Sequence, residues 1–302
     1  GGLRRRLAGL PNQTVLDRLR GARSLDFKKE ALEVLFNSPE PLTSAQLPSV
    51  LKACGEIGDY KKLSYFFEQM EDKKIWNVYG YTSFMKACGR MGRYLEALGT
   101  FRRMQYEGIP VDNTVYHCII CILKDAGQWE AAVDLAEEMA AEGRCDAAAL
   151  NQAAAAAVAA GEWPLAMELF ENAQGRFGVV PDVFLYTTAI SACTDLGDVG
   201  RALHLLGRLR AAGLRPNEYT YTALIATCEK AGDAARAGEL IREAEAAGAA
   251  NVRTYSAACR ALAEAGDLEG AVDLLGRMRE RGVPPNAYTY SALILACGGG
   301  GG

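Results

Sequence analysis

The chain of 302 residues is 50% hydrophobic and 23% charged, with a formal net charge of −4, 32 glycines, two histidines and only 8% aromatic residues. Such a length allows a large core or two ordinary domains, but a chain poor in large side chains builds thin, closely packed layers such as paired helices better than one thick core. No run of about 18 apolar residues occurs, which excludes a membrane-spanning helix; two histidines leave little room for zinc-hydrolase or Ser-His-Asp chemistry, and the net negative charge argues against affinity drawn from a broad basic surface.

The first 30 residues carry eight Lys or Arg against three acids, a balance of +5 that leaves −9 for the remainder. This basic start reads either as the remnant of an organelle transit peptide or as a solvated helix face. Opening on Gly1 rather than Met, the chain is expected to be processed or trimmed. Residues 9–43, with Pro39 and Pro41, read as a degenerate unit serving as an N-terminal cap, so 1–43 form a basic segment and capping unit.

From there a repeat governs the sequence. Gly58, Gly92, Gly127, Gly161, Gly197, Gly232 and Gly266 recur at intervals of 34 to 36 residues, and Ala97, Ala132, Ala166, Ala202, Ala237 and Ala271 each follow their glycine by five. Eleven residues ahead of the glycine stands an aromatic in Tyr81, Tyr116, Tyr186, Tyr221 and Tyr255. Within a unit the spacing is helical: Tyr221, Leu224, Ile225 and Cys228 fall on one apolar face. The glycine closes that helix, and Asp59, Asp198, Asp233 and Asp267 are placed to cap a second one, whose face in the last full unit is Leu268, Ala271, Leu274, Leu275 and Met278. Gly108, Gly143, Gly213, Gly248 and Gly282 end the second helices. A hairpin that cannot bury its own apolar face must stack on a neighbour, which gives an all-α solenoid. Seven full units are expected over 44–286, at 44–77, 78–112, 113–146, 147–182, 183–217, 218–251 and 252–286. Residues 287–302 supply the first helix of a partial unit and a glycine tail. Gly298 to Gly302 fall where an eighth second helix should begin, leaving Leu293 and Ile294 uncovered; either a linker follows or the chain continues.

Nine cysteines suggest disulfides or metal until their positions are considered. Cys54, Cys88, Cys193, Cys228 and Cys297 take equivalent places in the repeat, as small buried apolar residues of a reducing compartment would. His117-Cys118-Ile119-Ile120-Cys121 holds the only local cluster; on a helix its two cysteines share a face and read as core packing rather than as a zinc or redox site. No metal site, cofactor, small-molecule substrate or catalytic constellation is expected, and the chain does not read as an enzyme.

The phrases Pro216-Asn217-Glu218-Tyr219-Thr220-Tyr221-Thr222-Ala223-Leu224-Ile225, Pro285-Asn286-Ala287-Tyr288-Thr289-Tyr290-Ser291-Ala292-Leu293-Ile294 and Pro181-Asp182-Val183-Phe184-Leu185-Tyr186-Thr187-Thr188-Ala189-Ile190 resemble those of the pentatricopeptide repeat family of organellar RNA-binding proteins. The W-x2-L-G-x2-Y opening of the tetratricopeptide repeat is absent. Uniform repeat lengths resemble the family's P class. The resemblance covers about 80% of the chain and implies a right-handed solenoid in a chloroplast or mitochondrion.

In that family one repeat reads one base through the residue after the first-helix aromatic and the last residue of the repeat, both facing a concave groove. The resemblance carries this role to Thr82 with Asp112, implying G; to Asn151 with Asp182, implying U over C; and to Thr187 with Asn217, Thr222 with Asn251 and Ser256 with Asn286, each implying A. His117 with Asp146 has no firm base, Pro48 occupies the reading position of the first repeat, and Ser291 stands at that position in the partial unit. The expected ligand is single-stranded RNA containing 5′-GNUAAA-3′. Tyr79, Phe184 and Tyr219 stand where the family sandwiches bases, whereas Thr114, Ala148 and Arg253 depart from that pattern. Arg90, Lys124 and Lys230 are the candidate phosphate contacts, with Glu56, Asp125, Asp195 and Glu264 in the same place elsewhere. Two roles are implied: sequence-specific binding that acts in transcript stabilisation, processing or translation, or an architectural subunit contacting protein or structural RNA in an organellar ribonucleoprotein complex.

Overall fold

The computed structural model describes residues 2–7, 9–72 and 78–299. These residues are helical, with no strand among them, and divide into two compact units, 1–139 and 140–302.

In the first unit, α1 (Gly2–Leu7), α2 (Asn12–Gly21) and α3 (Leu25–Phe36) precede the hairpins α4 (Leu47–Ile57) with α5 (Tyr60–Asp72) and α6 (Val78–Arg90) with α7 (Tyr94–Tyr106). Helices α8 (Asn113–Asp125) and α9 (Trp129–Ala141) follow, the division between units falling near the end of α9. Helices α2 and α3 pack together, and Val15, Leu16, Ala31 and Leu32 are buried, so the degenerate segment is itself a helical hairpin. Arg4, Arg5 and Arg6 lie exposed on α1, Arg4 reaching Glu33 at 3.5 Å.

The first helices of successive hairpins form one row, α4 against α6 and α6 against α8. Small residues bring these backbones together. A Cβ built on Gly55 would meet Cβ of Ala87 at 2.7 Å and its Cα at 2.8 Å, so α4 and α6 touch where neither can carry a larger side chain. The alanine and glycine content of the chain has this packing as one of its causes.

In the second unit, α10 (Ala147–Ala160), α12 (Val183–Thr194), α14 (Glu218–Ala231), α16 (Val252–Glu264) and α18 (Ala287–Gly299) form the corresponding row. The second helices α11 (Trp163–Glu171), α13 (Val199–Ala211), α15 (Ala234–Ala246) and α17 (Leu268–Glu280) each pack on their own first helix and on the next. Tyr221, Leu224, Ile225 and Cys228 are all buried, as are Ala271, Leu274 and Met278, each large side chain contributing about 1.5–3 kcal/mol by leaving water. Gly232 has φ +71°, the left-handed conformation that turns the chain out of α14, and its amide bonds back to Glu229. Asp233 at once caps α15, its Oδ1 accepting from Arg236 N at 3.0 Å; Asp198 and Asp267 do the same at 2.9 Å, and Asp59 does so in the first unit at 3.1 Å. Each cap contributes about 1 kcal/mol.

Two departures are local. Helix α11 is only nine residues long and gives way to turns in which Ala173 and Phe177 are buried, followed by Gly178 at φ +67°. At the C-terminus α18 runs on through Gly299, so part of the glycine run is helical, while Gly300 to Gly302 lie outside the described residues. Ile294 on α18 is 70% exposed and Leu293 half-buried.

Candidate nucleic-acid interface

The residues nominated for base reading sit at the N-terminal ends of the first helices, and capping chemistry determines what they present. In the second unit the free amides at the start of α14 need an acceptor. Asn217 Oδ1 supplies it to Tyr219 N and Thr220 N, both at 3.0 Å. Asn251 Oδ1 does the same for Arg253 N at 2.9 Å and Thr254 N at 3.0 Å, and Asn286 Oδ1 for Thr289 N at 3.0 Å. With the oxygen turned into the helix, the amide nitrogen is the group left over. Among the described residues none of these three Nδ2 atoms has a protein partner.

Where the last residue of a repeat is Asp, a carboxylate makes the same cap, and its second oxygen is an acceptor where asparagine has a donor. Asp112 Oδ1 takes Val115 N at 3.0 Å, Asp146 Oδ1 takes Ala149 N at 3.0 Å and Asp182 Oδ1 takes Leu185 N at 2.9 Å. The backbone therefore converts a change of one atom in the side chain into an exchange of donor for acceptor at the same place.

The partners on the preceding first helices are half-buried at Thr187, Thr222 and Ser256, and Ser291 is exposed on α18. Asn151 and Asp182 are in contact, Asn151 Nδ2 donating to the two carboxylate oxygens at 3.2 and 3.1 Å. Asn151 Oδ1 is buried and has no partner in the protein. In the first unit Thr82 is buried and donates to Tyr79 O at 3.0 Å, while Asp112 is exposed. His117 is half-buried on α8, and Asp146 caps α10 in the other unit.

Large aromatic rings stand beside these positions. Tyr79, Phe184 and Tyr219 are 65%, 65% and 54% exposed, and Tyr288 at the same register of α18 is 70% exposed. Tyr288 was not singled out from the sequence, although it occupies the place in its phrase that Tyr219 takes in another. Thr114, Ala148 and Arg253 are exposed at the remaining first-helix starts. A cavity of about 440 Å³ in the second unit is lined by Thr222, Arg253, Ser256, Arg260, Asn286 and Tyr288. Its guanidinium and phenol groups are of the kinds on which a flat base stacks.

The nominated cations are already paired. Lys230 lies 3.1 Å from Asp195, Arg90 3.8 Å from Glu56 and Lys124 3.6 Å from Asp125. Glu56 also accepts from Lys28 at 2.5 Å, and that hydrogen bond holds its carboxyl below the usual value of 4.5. Arg260 pairs with Glu229, whose carboxyl burial pushes up despite this partner. Glu56, Asp195 and Glu229 at the ends of first helices thus pair with basic groups of the neighbouring repeats, and Lys124 with the acid beside it in its own helix. Burial pushes the Cys54 and Cys88 thiols up to about 12, and no metal-holding group of three or more His, Cys, Asp or Glu occurs among the described residues. None of the described helices is long and apolar enough to cross a membrane.

Residues 44–173 match the family model of pentatricopeptide repeat-containing proteins, and 160–301 match that of the pentacotripeptide-repeat region of PRORP. The fold is similar to crystal structures of the pentatricopeptide repeat protein PPR10. In complex with an 18-nt psaJ RNA element, PPR10 is 18% identical at a TM-score of 0.72, covering 91% of this chain and 40% of that one. PPR10 from maize is 20% identical at a TM-score of 0.63, covering 97% and 45%. The chain therefore spans less than half the length of these relatives. No curated protein matches it. Two repeat models that together run from residue 44 to residue 301, on a fold shared with PPR10, show that the chain belongs to the pentatricopeptide repeat family.

Proposed function

We propose that the chain binds single-stranded RNA sequence-specifically, one base per repeat, with 5′-GNUAAA-3′ read from the second to the seventh repeat. The observation that carries the reading is the set of helix caps. Asn217, Asn251 and Asn286 each turn their oxygen into the protein and leave an unpartnered amide nitrogen beside a hydroxyl from the preceding helix. A donor next to an acceptor complements the N1 and amino group of adenine. Asp112, whose carboxylate offers an acceptor where those asparagines offer a donor, instead suits the N1–H of guanine. The partnerless Asn151 Oδ1 suits the N3–H of uracil. The exposed rings of Tyr79, Phe184, Tyr219 and Tyr288 offer stacking platforms, and PPR10 was crystallised with an RNA element.

The role follows from occupancy: a covered transcript segment is shielded from exonucleases or kept unpaired, which serves stabilisation, processing or translation in a chloroplast or mitochondrion. The ion-paired cations favour a second reading, an architectural subunit of an organellar ribonucleoprotein complex that contacts protein or structural RNA. Fluorescence anisotropy with the single strand 5′-GAUAAA-3′, its duplex and 5′-GAUCCC-3′ separates the two. The first reading expects saturable binding to the first strand, weaker binding to the third and none to the duplex. Absence of binding to all three at low salt refutes it in favour of the architectural role.

A further inference from the structure

One feature of the interface follows no landmark of the repeat. In six of the seven repeats the third residue of the next first helix tracks the last residue of the repeat before it, the exception being Asn77, followed by Gly80. After Asn217, Asn251 and Asn286 it is Thr220, Thr254 and Thr289; after Asp112, Asp146 and Asp182 it is Val115, Ala149 and Leu185. All three threonines are fully buried. A carboxylate offers an oxygen whichever way it turns, whereas a carboxamide offers oxygen on one side and nitrogen on the other, so only the asparagines need their orientation fixed.

The hydroxyls are placed to fix it. Thr220 Oγ donates to Asn217 Oδ1 at 3.0 Å and accepts from Asn217 N at 3.3 Å, closing a small ring. Thr254 makes the same contacts with Asn251 at 3.0 and 3.4 Å, and Thr289 with Asn286 at 3.1 and 3.4 Å. Each hydroxyl also reaches back one repeat: Thr187 Oγ lies 2.8 Å from Thr220 Oγ, Thr222 Oγ 3.1 Å from Thr254 Oγ and Ser256 Oγ 2.8 Å from Thr289 Oγ.

Each hydroxyl has a single proton, which restricts the arrangement at Thr187. With the Thr220 proton given to Asn217 Oδ1, the 2.8 Å contact has Thr187 donate to Thr220, with Val183 O at 2.7 Å within reach of the same proton. The Thr187 proton is thus used inside the protein, and the hydroxyl can only accept from a base. Thr222, bonded to Glu218 O at 2.7 Å, is held in the same way.

We propose that Thr220, Thr254 and Thr289 are positioning residues for base selection, each orienting the preceding asparagine amide nitrogen-outward and, through the hydroxyl one repeat back, setting the acceptor beside it. The proposal rests on the one-base-per-repeat reading above and assigns the adenine preference of each of these repeats to three residues rather than two.

The test replaces Thr220 by Val, which keeps the shape and removes the hydroxyl, and measures affinity for the four hexanucleotides 5′-GAUXAA-3′ with X each base in turn. In T220V the preference for A over G at X should fall about three- to tenfold, the worth of one hydrogen bond, with discrimination at the other positions unchanged and T220S restoring it. A purely structural role would lower affinity for all four strands together and leave their ratio intact, and that result overturns the proposal. Should T220V fail to fold, T254V read at the next base serves the same purpose. Wild-type protein indifferent to X would refute the base-reading model and the proposal with it; a wild-type preference that survives T220V overturns only the positioning role.

Discussion

Replacing Asn217 by Asp changes one atom at the interface. Oδ1 would continue to cap Tyr219 N and Thr220 N, both 3.0 Å away, and Asp182 already caps α12 with the same geometry at 2.9 Å, so the fold should accept the change without loss of stability. What changes is the partnerless Nδ2 donor, which becomes an acceptor. Adenine loses a hydrogen bond worth about 0.5–1.5 kcal/mol, and guanine gains a charge-assisted one worth about 1.5–3 kcal/mol. The preference for A over G at that base should therefore shift by roughly 2–4 kcal/mol, about 30- to 1,000-fold. Anisotropy titrations of the variant with 5′-GAUAAA-3′ and 5′-GAUGAA-3′, alongside thermal unfolding, measure both halves of the expectation. An unchanged preference, or a loss of binding to both strands without a gain for G, would refute the reasoning.

Three further outcomes follow from the electrostatics and burial. Because Arg90, Lys124 and Lys230 are ion-paired, few phosphates should be neutralised; RNA affinity should fall with salt along a log–log slope no steeper than about −2, three contacts at about −0.7 each, and a slope of about −5 would contradict the pairing. Glu56 has its folded-state carboxyl depressed below 4.5 by the hydrogen bond from Lys28, so the stabilisation is present above that value and lost as pH falls through the folded-state value; Glu56→Gln should flatten the acid decline in thermal stability by an amount within about 1 kcal/mol, and an identical decline would dispose of the claim. In native protein treated with iodoacetamide at pH of about 8, half-buried Cys121 should be modified before Cys54 and Cys88, whose thiols burial pushes up to about 12; peptide mass mapping that finds all three equally reactive would contradict the packing.

The scaffold was legible because its punctuation is chemical. Glycines at fixed intervals mark left-handed stops, and the aspartates after them are caps; both are local requirements that a sequence displays directly. The shortened α11 was not legible, since it ends at Glu171, Ala173 and Phe177 bury in the turns that follow, and no periodicity announces this. At the interface the nominated pairs follow from register, but two features depend on contacts across about 33 residues: the hydroxyl links from Thr187 to Thr220 and their equivalents, and the acids that neutralise Arg90 and Lys230. Neither has a signature within a single repeat. The alternation of Asn with Thr and of Asp with an apolar residue three places on, broken at Asn77 with Gly80, was present in the sequence, and only the capping geometry gives it meaning.

Selection of the purified chain against a pool of randomised single-stranded RNA tests the central claim most directly. The donor and acceptor pattern at Asn217, Asn251 and Asn286 predicts enrichment of strands with three consecutive adenines preceded by G-N-U. Recovery of a pool with no common sequence, or of one in which the adenine run is absent, would contradict it.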